Sequence, residues 1–290
     1  MEEACHFPCF LGIGPPHSSY ESAGAAILPV PFEATTSYVK GTRRGPQAIL
    51  DASHQVELYD EELGRETYRL GITTLPTVEV DGLAYGQAAE RIAAAARRPL
   101  ADGKLLVALG GEHSITPPLV EAAAGICGPL TVLQLDAHAD LRDAYDGTPH
   151  SHACALRRIR ERHDAVQVGI RALSADEAGL IRDRNYPVFF AHEMAADPAW
   201  ADRALALLGG QVYLTIDLDA FDPSVVPAVG TPEPGGMGWY ETLRFLRRVA
   251  AQCRIVAMDV VELCPVPGSI VSDFAAAKLT YRLIGYILGG

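Results

Sequence analysis

The chain has 290 residues, of which 49% are hydrophobic and 21% are charged, and its formal net charge is −12. This composition can bury a large core and excludes an intrinsically disordered protein. The acidic balance, without a basic stripe that could track phosphates, argues against nucleic-acid binding, and it favours a small cationic ligand.

The N-terminal segment, residues 1–23, is rich in Pro, Gly, Ser and Cys and has no hydrophobic periodicity, which predicts an irregular arm. The chain begins Met-Glu-Glu, where a signal peptide would carry basic residues, and no apolar run approaches the ~18 residues of a membrane span. Cys5-His6-x-x-Cys9 could be half of a metal site, but no second half accompanies it, so we interpret it as part of the arm. Six cysteines in a chain of this length do not make a disulfide scaffold. We therefore expect reduced thiols in a soluble, cytoplasmic protein without membrane contact.

From residue 24 to residue 290, apolar strand-like runs alternate with helical patterns. Strands are predicted over 25–30, near 78–80, and over 105–109, 130–135, 166–170, 188–191, 212–216 and 255–261. Helices are predicted over 46–58, 85–98, 116–124, 153–161, 198–208, 240–251 and 273–288, and one more begins near Ser174, which forms a capping box with Glu177. This alternation predicts one α/β domain with a parallel sheet covered on both faces.

Four of the predicted strands end in ionisable residues. The strand over 105–109 is followed by two glycines and Glu112-His113, the strand over 130–135 by Asp136-Ala-His138-Ala-Asp140, the strand over 212–216 by Asp217-Leu-Asp219, and the strand over 255–261 by Glu262. Ligands of open parallel sheets bind beyond the carboxyl ends of the strands, and alternate residues of extended backbone point to one side. We therefore expect these side chains to converge.

The expected metal ligands are two imidazoles and four carboxylates: His113, Asp136, His138, Asp140, Asp217 and Asp219. Four crowded carboxylates cannot all stay ionised without cations among them. The oxygen-rich set fits Mn²⁺ better than structural zinc, with Fe, Co or Ni as competitors. Two divalent ions would balance the four negative charges and could activate a bridging water as hydroxide.

Several motifs together resemble the ureohydrolase (arginase) family, in its agmatinase branch. They are GGEHSIT (110–116), DAHADLRD (136–143), SHA (151–153), TIDLDAFDP (215–223), GTPEPGG (230–236) and DVVELCP (259–265). The resemblance implies an arginase-like three-layer α/β/α sandwich around a mainly parallel sheet of about eight strands. It also implies a homo-oligomer, either a trimer or a hexamer.

The resemblance assigns roles to single residues. One Mn²⁺ would be held by His113, Asp136, Asp140 and Asp217, and the other by Asp136, His138, Asp217 and Asp219. His152 matches the family's proton-shuttling histidine, and Glu262 matches the acidic residue that receives the substrate guanidinium. We expect Asp140 to protonate the leaving amine, His152 to exchange protons with bulk water, and Glu112 to hold His113 or neighbouring backbone through hydrogen bonds.

The expected reaction is hydrolysis of agmatine to putrescine and urea, a step of polyamine biosynthesis, by attack of a metal-bridging hydroxide. Arg142 stands where arginase itself has the Asn that reads an α-carboxylate, so guanidinobutyrate, arginine, guanidine or another guanidino acid remain alternatives. The cationic tail of agmatine would contact an acidic residue such as Asp143, Asp146 or Glu233. Two other classes stay open: a deacetylase-like hydrolase with one zinc, and a non-catalytic metal-binding homologue.

Overall fold

The computed structural model describes residues 9–290. The strands in this range are β1 (Ala25–Val30), β2 (Tyr59–Asp60), β3 (Arg65–Glu66), β4 (Ile72–Thr74), β5 (Leu105–Gly110), β6 (Thr131–Leu135), β7 (Asp164–Ile170), β8 (Val188–Phe190), β9 (Gln211–Asp217) and β10 (Arg254–Val261). The α-helices are α1 (Gly45–Ser53), α2 (Tyr85–Ala101), α3 (Thr116–Cys127), α4 (Ala155–Ile159), α5 (Ala175–Arg184), α6 (Ala191–Ala196), α7 (Trp200–Ala206), α8 (Trp239–Gln252) and α9 (Val271–Leu288).

Eight strands form one sheet in the order β4-β1-β5-β10-β9-β6-β7-β8, and every neighbouring pair is parallel. The other two strands, β2 and β3, form a short antiparallel hairpin. The predicted eight-stranded parallel sheet is therefore confirmed.

Successive residues of the central strands fill two separate cores. In β5, Leu105, Val107 and Leu109 pack into the core that contains α1, α8 and α9. Leu106 and Ala108 pack into the core beneath α2, α3 and α4. Because side chains alternate between the faces of a strand, a strand that is apolar throughout needs a helical layer on each side. The three-layer sandwich follows from this pattern.

The first edge strand is not where the sequence predicted it. Ile72–Thr74 pairs with Ala25–Ile27 as β4, whereas residues 78–80, the predicted strand, lie outside the sheet. Pro76 interrupts the ladder because it has no amide proton to donate. Val78 and Val80 are buried in the core that also contains α2, which explains their apolar pattern without strand pairing.

Several helices begin or end two to five residues away from their predicted positions, and α1 differs most. Helix α1 ends at Ser53, five residues before the predicted end, and the Ser53 hydroxyl accepts the backbone N–H of Leu11 at 2.7 Å. The helix predicted over 198–208 begins at Trp200 and is preceded by the unpredicted helix α6. By contrast, the Ser174–Glu177 capping box is present as predicted.

The described part of the N-terminal segment, residues 9–23, packs on the domain through the buried side chain of Phe10. Cys9 is disulfide-bonded, so the prediction of reduced thiols is wrong for this residue. Residues 5 and 6 of its motif lie outside the described residues. Within residues 9–290, Cys127, Cys154, Cys253 and Cys264 are free, and none of the helices has the length and apolarity needed to cross a membrane.

Candidate metal centre

The four strands that end in ionisable residues are neighbours at the centre of the sheet, in the order β5, β10, β9, β6. Because they run parallel, their carboxyl ends open on the same edge. All six predicted ligands lie at this edge, although they come from three separate segments.

A glycine turn after β5 delivers the first imidazole. A Cβ at Gly111 would lie 2.0 Å from the carbonyl oxygen of Phe32, so only glycine fits there. The N–H of Gly111 donates to the Val30 carbonyl at 3.0 Å, and the N–H of Glu112 donates to the Phe32 carbonyl at 2.9 Å. These contacts fix the turn that places His113 in the interior, where it is fully buried.

The Nδ1 atom of His113 faces three carboxylates. It lies 3.1 Å from Oδ2 of Asp136, 3.1 Å from Oδ2 of Asp140 and 3.5 Å from Oδ2 of Asp217. At its other nitrogen, Nε2–H donates to the Thr215 hydroxyl at 2.9 Å, because the single hydroxyl proton of Thr215 is donated to Asp259 at 2.6 Å. Neutral His113 would therefore keep its proton on Nε2, and its Nδ1 lone pair would be available to a cation bound among the carboxylates.

A second group lies beside the first and shares one residue with it. Ligand atoms of His113, Asp136 and Asp140 lie within 4.8 Å of one another, and so do those of Asp136, His138 and Asp219. In the second group, His138 Nδ1 lies 2.8 Å from Oδ2 of Asp219 and 3.7 Å from Oδ1 of Asp136. Asp136 therefore connects these two candidate metal groups, the His113 group and the His138 group.

The charges of the site are strongly perturbed. Burial, together with Asp219 and Asp136, raises the pKa of Asp217 well above its ordinary value, and burial with Asp136 raises the pKa of Asp140 to about 6. Burial alone would lower the pKa of His138, but the Asp219 and Asp136 carboxylates raise it to about 12. In the same way, the facing carboxylates outweigh burial and raise the pKa of His113 well above its usual range. Without cations, the site holds protons.

The donor set fits a pair of divalent cations. Among residues 9–290, the buried Nδ1 of His113 makes no hydrogen bond, although three carboxylate oxygens surround it. Carboxylate oxygens and imidazole nitrogens are ligands of Mn²⁺ and its neighbours in the first transition row. A cation at this point would give the Nδ1 lone pair a partner and relieve the repulsion among the carboxylates.

Glu262 and His152 form a pair at the edge of the metal groups. Oε1 of Glu262 accepts the backbone N–H of His113 at 2.7 Å and lies 3.2 Å from Nδ1 of His152. Although burial alone would lower the pKa of His152, its hydrogen bond to Glu262 raises the pKa to about 9. His152 is therefore a cation at neutral pH, and within residues 9–290 its buried Nε2 makes no hydrogen bond.

Two of the predicted site residues have left-handed backbone. Asp140 has φ 52° and Glu262 has φ 65°, which is unfavourable for residues with a side chain. The N–H of Glu262 donates to the Gly111 carbonyl at 2.8 Å, and the carbonyl of Asp140 accepts the N–H of Arg157 at 3.0 Å. Surrounding hydrogen bonds thus hold both residues in this conformation.

Glu112 organises the loop on which His152 rests. This buried carboxylate accepts the N–H groups of Ala34 and Thr35 at 2.7 and 2.6 Å and the Thr35 hydroxyl at 2.7 Å. The same hydroxyl accepts the N–H of His152 at 2.9 Å. The prediction that Glu112 holds neighbouring backbone is confirmed, whereas the role of Thr35 was missed because it lies about 80 residues away along the chain.

Asp259 is a supporting residue for which no role was predicted. It is fully buried and accepts hydrogen bonds from the hydroxyls of Tyr213, Thr215 and Thr116 at 2.7, 2.6 and 2.9 Å. Through Thr215 it fixes the tautomer of His113. Asp259 could have been recognised from the sequence as the one carboxylate within the apolar run of β10.

Two charged residues of the surrounding loops have partners within the protein. Arg171 donates to the carbonyls of Asp219 and Glu233 at 2.6 and 2.8 Å, so it ties the turn after β9 to the GTPEPGG segment. The mostly exposed carboxylate of Asp143 forms an ion pair with Arg158 at 2.7 Å, so its charge already has a partner within the protein.

Comparison with known proteins gives the class of this site. The arginase family model matches residues 23–285, and the chain belongs to that family. Within it, the resemblance to the agmatinase branch of the ureohydrolases is confirmed, and these are hydrolases of C–N bonds in linear amidines.

Individual relatives are similar over nearly the whole chain. The N(1)-aminopropylagmatine ureohydrolase of Synechocystis sp. is 47% identical over 277 residues, which cover 93% of this chain and 90% of the relative. The enzyme of the same name from Thermus thermophilus is 40% identical and covers 95% and 94% of the two chains. The crystal structure of the agmatine ureohydrolase of Thermoplasma volcanium aligns with a TM-score of 0.85 at 28% identity, covering 93% of this chain and 91% of that one.

Proposed function

We propose that this protein is a binuclear, manganese-dependent amidinohydrolase that acts on N1-aminopropylagmatine. The choice of this substrate is supported by the 47% identity to the Synechocystis N(1)-aminopropylagmatine ureohydrolase over almost the whole chain. Hydrolysis would replace the guanidino group by an amine, releasing urea and a triamine. Agmatine, the substrate expected from the sequence, is the second candidate, supported by the fold shared with an agmatine ureohydrolase.

Six side chains hold the two ions in this proposal. His113, Asp136, Asp140 and Asp217 hold one ion, and Asp136, His138, Asp217 and Asp219 hold the other. The position of His113 Nδ1 among three carboxylates supports the first set, and the contact between His138 and Asp219 supports the second. When bound, such ions lower the pKa of water and supply a nucleophile at neutral pH.

Glu262 receives the substrate guanidinium. A guanidinium is protonated at neutral pH, and a buried carboxylate is its strongest acceptor because the hydrogen bonds are charge-assisted. Glu262 is 5% exposed, and its Oε1 contacts His113 and His152, between the metal groups and the proton-exchanging residue. The guanidino carbon would therefore be held next to the metal groups.

Two residues handle protons in this proposal. The amine leaves only when protonated, which requires an acid within reach. Asp140 is the candidate donor, because its carboxylate lies at the metal groups, 3.1 Å from Nδ1 of His113, where it can take up the proton of the attacking water and pass it to the amine. His152, protonated at neutral pH through its contact with Glu262, exchanges protons with bulk water. The predicted trimer or hexamer stays a prediction.

Urea release tests the proposal. After preincubation with Mn²⁺, we expect kcat/KM for N1-aminopropylagmatine to exceed that for agmatine at least tenfold, with two ions bound per chain. A preference for agmatine would favour the second candidate. If these two compounds, guanidinobutyrate, arginine and guanidine all yield no urea while two ions are bound, a non-catalytic homologue is the better description. One bound zinc would contradict the binuclear site.

The variant Glu262→Gln tests the proposed binding of the guanidinium, because it keeps the shape of the side chain and removes its charge. We expect a loss of about 100-fold or more in kcat/KM for both guanidino compounds, because a buried cation would lose its counter-charge. Two bound ions should remain. Unchanged kcat/KM would place the guanidinium elsewhere.

A further inference from the structure

A row of polar side chains runs from Asp136 through two buried glutamines to Arg160, the residue directly after helix α4. Gln134 of β6 and Gln167 of β7 are both fully buried and are register partners. Gln134 Nε2 donates to Oδ2 of Asp136 at 2.6 Å, and Gln167 Nε2 donates to Oε1 of Gln134 at 2.6 Å. The Arg160 guanidinium donates to Oε1 of Gln167 at 3.2 Å and completes the row.

The direction of this row is fixed at Gln167. Its Nε2 also donates to the backbone carbonyl of Ala139 at 2.8 Å, and a carbonyl can only accept. On its other side, the Arg160 guanidinium can only donate. Gln167 must therefore present its amide N–H to Gln134, which in turn must present its own N–H to Asp136. Gln134 cannot flip without losing a hydrogen bond at each end.

Asp136 is the carboxylate that both metal groups share, and each of its oxygens serves one group. Oδ2 lies 3.1 Å from Nδ1 of His113 and accepts from Gln134. Oδ1 lies 3.7 Å from Nδ1 of His138 and accepts the backbone N–H of that residue at 2.6 Å. One protein donor on each oxygen thus sets the rotation of the carboxylate plane.

We propose that Gln134 is a positioning residue for the metal pair: it holds Oδ2 of Asp136 towards the His113 group, and Gln167 keeps it in the donating orientation. This inference rests on the proposed binuclear function. The donor on Oδ1 is backbone and survives any side-chain exchange, whereas the donor on Oδ2 is the Gln134 side chain. Removing this donor releases Oδ2 of Asp136 on the His113 side. Binding of the ion at the His113 group is therefore weakened more than binding of the other ion.

The test compares Mn²⁺ binding by chelator-stripped wild-type protein and Gln134→Met, which keeps the length of the side chain but has no donor. Calorimetry should give two ions for wild type and a dissociation constant raised about 10- to 100-fold for one of the two ions in the variant. The electron paramagnetic resonance signal of the spin-coupled pair should be lost at the Mn²⁺ concentration that saturates wild type. Wild-type affinity for both ions in Gln134→Met would overturn the inference.

Two further variants separate positioning from folding. Gln134→Glu retains an acceptor for Gln167 but places a further carboxylate against Asp136. It should therefore weaken binding of the same ion at least as much as Gln134→Met does. Gln211→Met makes the same exchange at the start of β9, where the amide donates to the carbonyls of Cys127 and Pro129, and it should bind both ions as wild type does. Equal weakening of both ions, with earlier unfolding of the stripped variant, would indicate a folding role only and overturn the inference. If wild type binds no coupled pair, the proposed function fails instead.

Discussion

Binding of the metal pair should release protons, and the structure indicates how many. In the metal-free site, the pKa values of His113 and His138 are raised, to about 12 for His138, by the carboxylates that face their Nδ1 atoms. Both imidazoles are therefore protonated at pH 7. Each must lose its Nδ1 proton to coordinate an ion, since a metal ligand needs that lone pair.

The magnitude follows from this count. Two imidazoles release about two protons, and the raised pKa of Asp217 can add a fraction of a third. Protons and cations compete for the same atoms, so the overall affinity for the pair rises with pH. With two protons displaced, the product of the two association constants should rise about 100-fold per pH unit between pH 6 and pH 8.

The assay is calorimetric titration of chelator-stripped protein with Mn²⁺ in buffers of different ionisation enthalpy. The slope of the observed enthalpy against the buffer enthalpy gives the number of protons released. His192→Ala, which changes a histidine in α6 outside the proposed ligand set, should leave the slope unchanged. Release of fewer than one proton, or an affinity that does not depend on pH, would refute the assignment of both histidines as ligands through Nδ1.

Four further experiments with variants test the frame of the site. Gly111→Ala should destabilise the protein by about 3 kcal/mol or more, because its Cβ would overlap a carbonyl oxygen, whereas Gly125→Ala, in open space of helix α3, should stabilise it by up to about 1 kcal/mol; both are read from denaturant unfolding, and equal effects would contradict the contact. Glu262→Gly should be about 1 kcal/mol more stable than Glu262→Ala in the same assay, because φ is 65° there; the reverse order would argue against the left-handed backbone. Asp217→Asn should lose activity and bind fewer than two ions, and near-normal turnover would refute a shared carboxylate at that position. His152→Ala should keep two ions while kcat falls about 100-fold or more, and loss of metal would give that residue a different role.

The sequence predicts most of the fold because the relevant signals are local. A run such as 105–109 is apolar on both faces, and a pattern such as 240–251 repeats with helical spacing. The edge strand β4 was missed because Ile72-Thr73-Thr74 is too short to be recognised without its partner β1. Burial of Val78 and Val80 under a helix gives the same apolar signal as a strand.

The convergence of the six proposed ligands could be predicted for a related reason. Each lies directly after a recognisable strand, and the convergence of parallel strands at one edge is a general rule. Thr35 and Asp259 could not be found in this way. Thr35 reaches His152 only through the folded position of a distant loop, and Asp259 acts through Thr215 only because β10 and β9 are neighbours in register.

The strand register shows why these supporting residues belong together. Gln167 pairs with Gln134, Gln134 pairs with Thr215, and Thr215 pairs with Asp259, so polar side chains occupy one row across four adjacent strands. Two members of the row stand two residues before a proposed ligand, Gln134 before Asp136 and Thr215 before residue 217, and therefore share its face of the sheet. Read one strand at a time, each is a lone polar residue in an apolar run. Across the sheet, they form a polar layer beneath the carboxylates, in which Gln167 donates to Gln134 and Thr215 donates to Asp259. Through Gln134 and Thr215 this layer contacts Asp136 and His113, and it can therefore orient both side chains.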